Sequence, residues 1–231
     1  MTSIEALVDR QLNRRALLER GRAQKPAAEP LRGGPLRVIT ISRETGSGGR
    51  TIAARLAGDL GFEFVDRKIL DLLAENTGAR ERLIASLDER TRSGIDLWVE
   101  GILTGRYVDR SEYRHVLAQT ITTLAEHGDS VILGRAANVI LGKRGGLHVR
   151  VIAPRAKRID SLVRAGGLSP QEAERRVARL DEERRRFYAQ SLGADIDNPR
   201  DYHLVINTGR TTPEAAEDLI LLAWKRYIDA G

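Results

Sequence analysis

Short apolar runs alternate with longer segments of helical spacing along most of the chain. Runs rich in Val, Ile, Leu or Phe predict five strands, at 36–42, 62–66, 130–134, 147–153 and 203–207. Apolar residues three and four positions apart predict helices near 50–60, 67–77, 111–127, 155–165, 170–190 and 213–229. This alternation indicates an α/β fold with a parallel sheet, in which ligands bind at the carboxyl ends of the strands.

The residues before the first strand divide into a helix and a linker. Apolar positions such as Ile4, Leu7 and Leu12 predict an amphipathic helix, which we assign to residues 1–24. This helix either docks a partner, forming a homo-oligomer if the partner is a second copy, or packs on its own domain, and both interpretations stay open. The segment 25–35, KPAAEPLRGGP, has the composition of a linker, so the main domain is predicted to span 36–231.

The segment 38–56, VITISRETGSGGRTIAARL, joins the first predicted strand to the helix that follows. Its turn consists of Gly46, Ser47, Gly48 and Gly49, and a helical pattern begins at Arg50. A glycine turn between a strand and a helix N-terminus directs successive backbone N–H groups at one point, where the helix dipole also favours negative charge. The segment therefore predicts a phosphate-binding loop.

This loop matches the common nucleotide-binding pattern G-x-x-x-x-G-K-[ST] only in part. Gly49, Arg50 and Thr51 fill its last three positions, with arginine in place of lysine, while Glu44 stands at the first glycine. Arginine supplies a permanent charge and a fork of donors, and Thr51 places a hydroxyl where a magnesium ligand would lie. A plain connection between strand and helix is the alternative, but a cation and a threonine after four small residues favour phosphate.

Composition narrows the classes of function. The 231 residues are 41% hydrophobic and 30% charged, which suits one sizeable domain, and the absence of cysteine excludes thiolate catalysis and cysteine-ligated zinc. A net charge of +6 suits an anionic partner, but aromatic residues for base stacking are scarce, at 4%, so nucleic-acid binding is the weaker interpretation. No apolar run approaches the roughly 18 residues of a transmembrane helix, and the polar N-terminal residues lack a signal-peptide core, so we expect a cytoplasmic protein without membrane contact.

The stretch ISRETGSGGRTIAARLAGDLGFEFVDRKIL resembles the opening of the cytidylate kinase-like family, divergent relatives of the bacterial cytidylate kinases. In that family the sequence of the loop is S-R-E-x-G-S-G-G-R, with arginine in the lysine position. The similarity continues through VILGRAANVIL (131–141), the arginine-rich segment 171–190 and YHLVINTGR (202–210). It implies a P-loop three-layer fold with a five-stranded parallel sheet, helical acceptor and lid segments, and a reaction that uses ATP and Mg²⁺.

The resemblance also implies an acceptor site. Gly134 and Arg135 are similar to the G-R-D of cytidylate kinases, whose arginine contacts the acceptor phosphate, and Asn138 is a polar substitute for the missing aspartate. Leu133 occupies the position of a carboxylate that helps hold magnesium in the parent family. Asp66, at the end of the second predicted strand, is the candidate replacement, together with Thr51.

Further acceptor contacts are expected around the second strand and in the segment after it. Asp66 is kept from the parent D-[ST]-G-x-x-Y-R motif, and Arg67 could bind a phosphate, but the base-reading residues are changed. Residues 78–112 correspond to the acceptor domain inserted between strands two and three. Trp98 and Tyr107 could stack on a base there, although packing is the stronger interpretation for Trp98.

The segment 155–190 resembles the lid and the helix that follows it. Arg155, Arg158 and Arg164 would close over the ATP phosphates and stabilise charge in the transition state. The resemblance also aligns three residues with an R-x-x-x-[DE]-x-x-R pattern that binds the acceptor nucleotide: Arg179, Glu183 and Arg186. A solvated, salt-bridged helix would have the same appearance.

The sequence thus predicts phosphoryl transfer from ATP to a nucleoside monophosphate, with CMP as the leading acceptor. Arg50, Arg135, Arg155 and Arg158 are the expected catalytic residues, because phosphoryl transfer needs positioning and positive charge more than covalent help. Leu133 and the altered acceptor motif favour a second interpretation, a nucleotide-binding regulatory protein with little turnover.

Overall fold

A five-stranded parallel sheet forms the centre of the computed structural model, which describes residues 4–23, 35–104 and 112–230. The strands are β1 (Val38–Arg43), β2 (Glu63–Val65), β3 (Ser130–Leu133), β4 (Leu147–Ile152) and β5 (Leu204–Asn207). Their order in the sheet is β2-β3-β1-β4-β5, so the strand that precedes the glycine loop is central. Register pairs Ile41 with Leu133 on one side and with Val149 on the other.

Helices cover both faces of the sheet. They are α1 (Ile4–Ala23), α2 (Gly49–Leu60), α3 (Arg67–Glu75), α4 (Thr77–Ala85), α5 (Glu89–Thr104), α6 (Glu112–His127), α7 (Ala137–Leu141), α8 (Arg155–Gly166), α9 (Pro170–Leu192) and α10 (Pro213–Asp229). Short 3₁₀ turns follow α7 and precede β5. Within the described ranges, no helix combines the length and the apolar character needed to cross a membrane.

Aliphatic side chains are the commonest in the strands, and β1, β3 and β4 are buried almost throughout, as expected for parallel strands covered on both faces. Alternate residues of β1 point to opposite faces, so Val38 belongs to the core beneath α3, α5 and α6, and Ile39 to the core beneath α2 and α10. The two cores fix the strand ends, and therefore the loops that follow them.

The predicted α/β fold and its five parallel strands are confirmed, and each observed strand lies within two residues of its predicted limits. Ser169 caps α9 in a capping box with Glu172, and the Thr212 side chain caps α10. The segment 78–112, interpreted as an acceptor-type insertion, contains α5 and all of α4 except its first residue. The short helix α7 was not predicted.

Helix α1 packs on its own domain. Leu7 and Val8 are fully buried in the core shared with α3, α4 and α6, and Asp9 forms an ion pair with Arg82 of α4. The structure therefore agrees with the second interpretation of this helix, and α1 is part of the domain predicted to begin at residue 36. The predicted linker, apart from Pro35, and Tyr107 lie outside the described residues.

Candidate functional site

The glycine loop after β1 has the backbone that a phosphate-binding turn requires. Gly46 and Gly48 adopt φ angles of 80° and 81°, and α2 begins at Gly49. At Gly46 a side chain is excluded, because an added Cβ would lie 2.4 Å from the carbonyl oxygen of Arg158. The loop is thus held against α8 by backbone contact, with the N-terminus of α2 beside it.

Glu44 and Thr45 explain why the loop departs from the common glycine pattern. The Glu44 carboxylate accepts a 2.8 Å hydrogen bond from the backbone N–H of Ala153, just before α8. Thr45 donates from its backbone N–H and its hydroxyl to Asp181 of α9, at 2.8 and 2.7 Å. Both side chains therefore attach the loop to the lid-like segment rather than line a phosphate cradle.

Arg158 lies beneath the loop, where the sequence predicted a lid arginine above the phosphates. It is 8% exposed, and its guanidinium pairs with Asp181 and lies 3.4 Å from the Glu44 carboxylate. The N–H groups of the Arg158 guanidinium thus donate hydrogen bonds to other groups of the protein. Arg155, at the start of α8, points to solvent and pairs with Glu174 of α9 at 3.0 Å. The prediction that these two arginines form a cage over ATP does not agree with this arrangement.

A first cleft lies on the side of the loop that faces α8 and the end of β5. It has a volume of about 410 Å³, and its walls include Gly46, Gly48, Arg164, Lys157 and Thr208. Thr208 donates to the backbone carbonyl of Ser47 at 2.9 Å, which ties the loop to the residues after β5. Arg164 therefore lies where a lid residue was predicted, whereas Lys157 was not singled out.

Arg50 and Asp66 form an ion pair of 2.7 Å between the start of α2 and the end of β2. Asp66 also caps α3, because its carboxylate accepts from the backbone N–H of Ile69. Burial alone would raise the pKa of Asp66, but the bonds from Ile69 and Arg50 outweigh it and lower the pKa. Thr51 is exposed at the next position of α2.

The turn after β3 is strained. Gly134, Arg135 and Ala136 have φ angles of 87°, 53° and 52°, a left-handed conformation that is uncommon for residues with a side chain and that concentrates at functional sites. The Arg135 guanidinium bonds to Asp71 of α3 through both Nε, at 2.8 Å, and Nη2. Burial would raise the pKa of Asp71, yet Arg135 and Tyr113 lower it. Asp71 was missed because it lies mid-helix without a motif.

A second cleft, which we call the arginine cleft, opens between the ends of β1 and β3 and helix α9. Its volume is about 300 Å³, and Leu180, Phe187 and Ile196 form its apolar walls. Four arginines line it: Arg43, Arg67, Arg135 and Arg184. The sequence predicted two of them. Arg43 could have been found from its position directly after the first predicted strand, but Arg184 is one of many arginines in α9.

Helix α9 presents a different face from the one predicted. Arg179 pairs with Glu183 in exposed positions, and Arg186 pairs with Glu182 in solvent. Only Glu183 of the predicted triplet lines the arginine cleft. The solvated interpretation therefore fits Arg179 and Arg186, while the arginine that faces the cleft is Arg184.

Two predicted contact residues have packing environments. Asn138 is buried and accepts hydrogen bonds from Tyr188 at 2.8 Å and from Ser42 at 3.3 Å, so it joins α7 to β1 and α9 behind the cleft. Trp98 donates from its indole N–H to the carbonyl of Ile140. Neither lines the arginine cleft.

The described residues include no group of three or more His, Asp or Glu side chains that could hold a metal ion. Magnesium usually keeps several waters and takes one or two protein oxygens besides substrate phosphates. Thr51 and Asp66 are compatible with such a partial ligand set, whereas Leu133, fully buried at the end of β3, cannot contribute.

A glycine loop on the central strand of a parallel sheet, with one cleft towards β5 and another towards β3, defines a P-loop α/β protein of the nucleotide kinase class. Residues 38–210 match the cytidylate kinase-like family, and the chain belongs to this family. The match supports nucleotide kinase activity, in agreement with the expectation from the sequence.

Individual relatives agree with this assignment. The cytidylate kinase of Pyrococcus abyssi is 30% identical over 186 residues, covering 80% of this chain and 92% of that protein. The cytidylate kinase of Pyrococcus horikoshii is 28% identical over 187 residues, covering 80% and 87%. A solved structure of an uncharacterized protein from Eubacterium ventriosum has the same fold, with a TM-score of 0.66 at 20% identity, covering 85% of this chain and 99% of that one.

Proposed function

We propose that the protein transfers the γ-phosphoryl group of ATP to a nucleoside monophosphate, with CMP as the leading acceptor. The observation that carries this proposal is the position of two clefts on either side of one glycine loop, the cleft towards β3 being lined by four arginines. In-line transfer needs a donor and an acceptor held end to end in a positive environment, and this arrangement supplies both.

The donor would bind in the first cleft. Backbone N–H groups of residues 46–51 would hold its phosphates, with the N-terminus of α2 adding a favourable dipole. Arg50 would leave Asp66 and neutralise charge on the phosphates. Lys157 and Arg164, which line the same cleft, would bind the donor from the side of α8.

Magnesium would bind beside Thr51 and Asp66, mainly through phosphate oxygens and water. When bound, the ion neutralises phosphate charge. Asp66 can contribute only if Arg50 turns away from it, because the two are paired at 2.7 Å. Movement of Arg50 to the phosphates would therefore free Asp66 for the metal.

The acceptor would bind in the arginine cleft. Asp71 holds the guanidinium of Arg135 near the end of β3, and the more exposed Arg67 lies 3.6 Å from the same carboxylate. Glu183 supplies a carboxylate on the opposite wall. A carboxylate accepts a hydrogen bond from an exocyclic amino group, which cytosine and adenine carry and uracil lacks. This supports CMP over UMP.

The deciding experiment measures ADP formation from Mg·ATP with CMP, dCMP, UMP, AMP and GMP. We expect turnover with CMP above UMP, and a Glu183→Gln variant should lose part of this preference while turnover with UMP changes less. An Arg176→Ala variant, which alters an exposed arginine of the same helix, should behave as the wild type. Turnover with no monophosphate would contradict the proposal.

One observation favours a second function, a nucleotide-binding regulator with little turnover. Leu133 is buried at the strand end, and so leaves this position without a carboxylate to hold magnesium. A protein of this kind would bind Mg·ATP, seen as an increase in melting temperature, and yield no ADP above background with any acceptor. The same panel of nucleoside monophosphates therefore distinguishes a kinase from a regulator.

A further inference from the structure

Arg43 is a half-buried arginine without a carboxylate partner among the described residues. It is the last residue of β1, and its guanidinium lines the arginine cleft. Across the described ranges, no acidic side chain lies within 4.0 Å of it and no side-chain hydrogen bond from it is found, in contrast to Arg135 and Arg158. Burial, with the nearby charge of Arg184, lowers the pKa of Arg43 to about 10, so it stays protonated at neutral pH.

Two glycines make room for this side chain. An added Cβ at Gly49 would lie 2.7 Å from the Cβ of Arg43, so the start of α2 can rest directly on the arginine stem. An added Cβ at Gly134 would lie 2.5 Å from its Nη1, at the turn after β3. Arg43 therefore extends from beneath the donor loop to the turn that carries Arg135, between the two clefts.

The ion-pair cluster around the arginine cleft has an excess of positive charge. Arg135 and Arg67 share Asp71, while Arg184 and Arg158 share Asp181. Counting Arg43 and the Glu44 carboxylate beside Arg158, five arginines face three carboxylates, which leaves two positive charges uncompensated. Glu183 does not change this balance, because it is paired with Arg179. A phosphate monoester near neutral pH carries about −1.5 to −2 charges.

We propose that Arg43 binds the anionic phosphate group of the acceptor, with Arg184 opposite it across the cleft. This inference rests on the proposed function, since it assigns the ligand of the same acceptor site. Arg43 is thus a specificity-determining residue: it selects phosphate monoesters over neutral acceptors of similar size. Its stem lies under the donor loop, so it also holds the acceptor phosphate next to the donor site.

A ligand-binding role and a purely structural role for Arg43 predict different effects of its replacement on the stability of the protein. If Arg43 serves ligand binding, its partial burial without an acidic partner costs free energy in the unliganded protein, so an apolar side chain of similar length should be tolerated or even stabilising. Arg43→Met keeps the packing against Gly49 and removes the charge. If Arg43 instead held the fold together, the same change would lower the melting temperature.

The experiment follows the melting temperature during titration with inorganic phosphate, with the donor site saturated by Mg²⁺ and a non-hydrolysable ATP analogue. Wild type, Arg43→Met, Arg43→Lys and Arg176→Ala are compared. We expect Arg43→Met to melt no lower than wild type without phosphate, and to need at least about tenfold more phosphate for the same shift. Arg43→Lys should recover part of the response, and Arg176→Ala all of it. The KM for CMP should rise in the same order.

A phosphate response of Arg43→Met equal to that of the wild type would overturn the proposal, as would a wild type that does not respond. The ATP analogue is read separately: if it fails to raise the melting temperature of the wild type, the donor site is wrong, whatever Arg43 does. Failure of the inference and failure of the proposed function are therefore distinguishable.

Discussion

Arg50 and Asp66 are joined by an ion pair of 2.7 Å, although the sequence assigned one to phosphate and the other to magnesium. The Arg50 side chain is 66% exposed and that of Asp66 is 12% exposed, so the arginine is the partner that can move. The Arg50 end of the pair is open to solvent, which screens the attraction, and Asp66 keeps its hydrogen bond from the backbone N–H of Ile69 when the pair opens. The pair can therefore open at small cost when phosphates compete for Arg50.

Arg50→Ala should reduce turnover more than it weakens ATP binding. Loss of one well-placed charged donor at such a site commonly costs about 3 kcal/mol in the transition state, roughly a hundredfold in rate. Arg50→Lys should retain part of the activity. Turnover and ATP affinity of both variants are compared with Arg55→Ala, which changes another exposed arginine of α2. Equal turnover of Arg50→Ala and wild type would remove Arg50 from catalysis.

Asp66→Asn should reduce the gain in ATP affinity that magnesium provides. The amide oxygen can still accept from the backbone N–H of Ile69, so the cap of α3 should persist. The charge that would face the ion is removed, however. Isothermal titration with ATP, with and without Mg²⁺, measures the difference directly. If the magnesium-dependent gain is the same in variant and wild type, Asp66 does not contribute to the metal site.

Gly46→Ala should abolish ATP binding or severely weaken it. The added Cβ would lie 2.4 Å from a backbone oxygen of Arg158, and the φ of 80° disfavours any side chain. Gly58→Ala is the matched control: it lies in α2 with open space around it, and alanine should stabilise the helix by about 0.5–1 kcal/mol. Melting curves with and without Mg·ATP test both variants. Normal ATP binding by Gly46→Ala would contradict the role of the loop.

The sequence predicts the strands well because each is a short run rich in Val, Ile, Leu or Phe, too short for a helix of ordinary length. The sequence also predicts the phosphate-binding loop, because the glycines that define this loop lie within a few residues of one another along the chain. The working face of α9 could not be predicted: charged residues occupy nearly every turn of 171–190, so spacing alone does not separate the inward Arg184 from the outward Arg179 and Arg186.

Burial of charge is likewise a property of the tertiary fold. Arg158 reads as a lid residue in the sequence, and only the packing of α8 against the loop turns it inward. The apolar positions of α1 fit a docking helix and a packed helix equally, because periodicity defines a face but not its partner. The structure shows the packed face of α1, in contact with α4 and α6.

Leu7→Ala should destabilise the protein by about 2–5 kcal/mol, because Leu7 is fully buried among α3, α4 and α6. Deleting residues 1–34 should lower the melting temperature further, in contrast to a dispensable extension. Chemical denaturation measures both changes, with Glu5→Ala as a control at an exposed position of the same helix. A truncated protein as stable as the full chain would show that α1 adds nothing to the domain.

Stability should fall as the pH drops from about 6.5 towards 4, because of His148. This histidine is buried in β4, with its Nδ1 2.8 Å from the Thr40 hydroxyl. Burial, and the nearby ring of His203, lower the pKa of His148 from 6.5 to about 4, against the opposing bond to the carbonyl of Gly142. At pH values between about 4 and 6.5 the unfolded chain binds a proton that the folded protein does not, so the free energy of unfolding decreases as the pH falls through this range. It has its full value above about pH 6.5.

Over the whole range, His148 should change the free energy of unfolding by roughly 3 kcal/mol, because its pKa is about 4 in the folded protein and 6.5 in the unfolded chain. Urea unfolding between pH 4 and 7.5 should show the slope in wild type and lose most of it in His148→Asn, whose amide does not titrate. His115→Asn, at an exposed position of α6, is the matched control and should keep the wild-type slope. Asp66 and Asp71 have lowered pKa values, so the stability that these two carboxylates contribute is lost only below about pH 4, outside this window. An unchanged slope in His148→Asn would assign the acid sensitivity to another group.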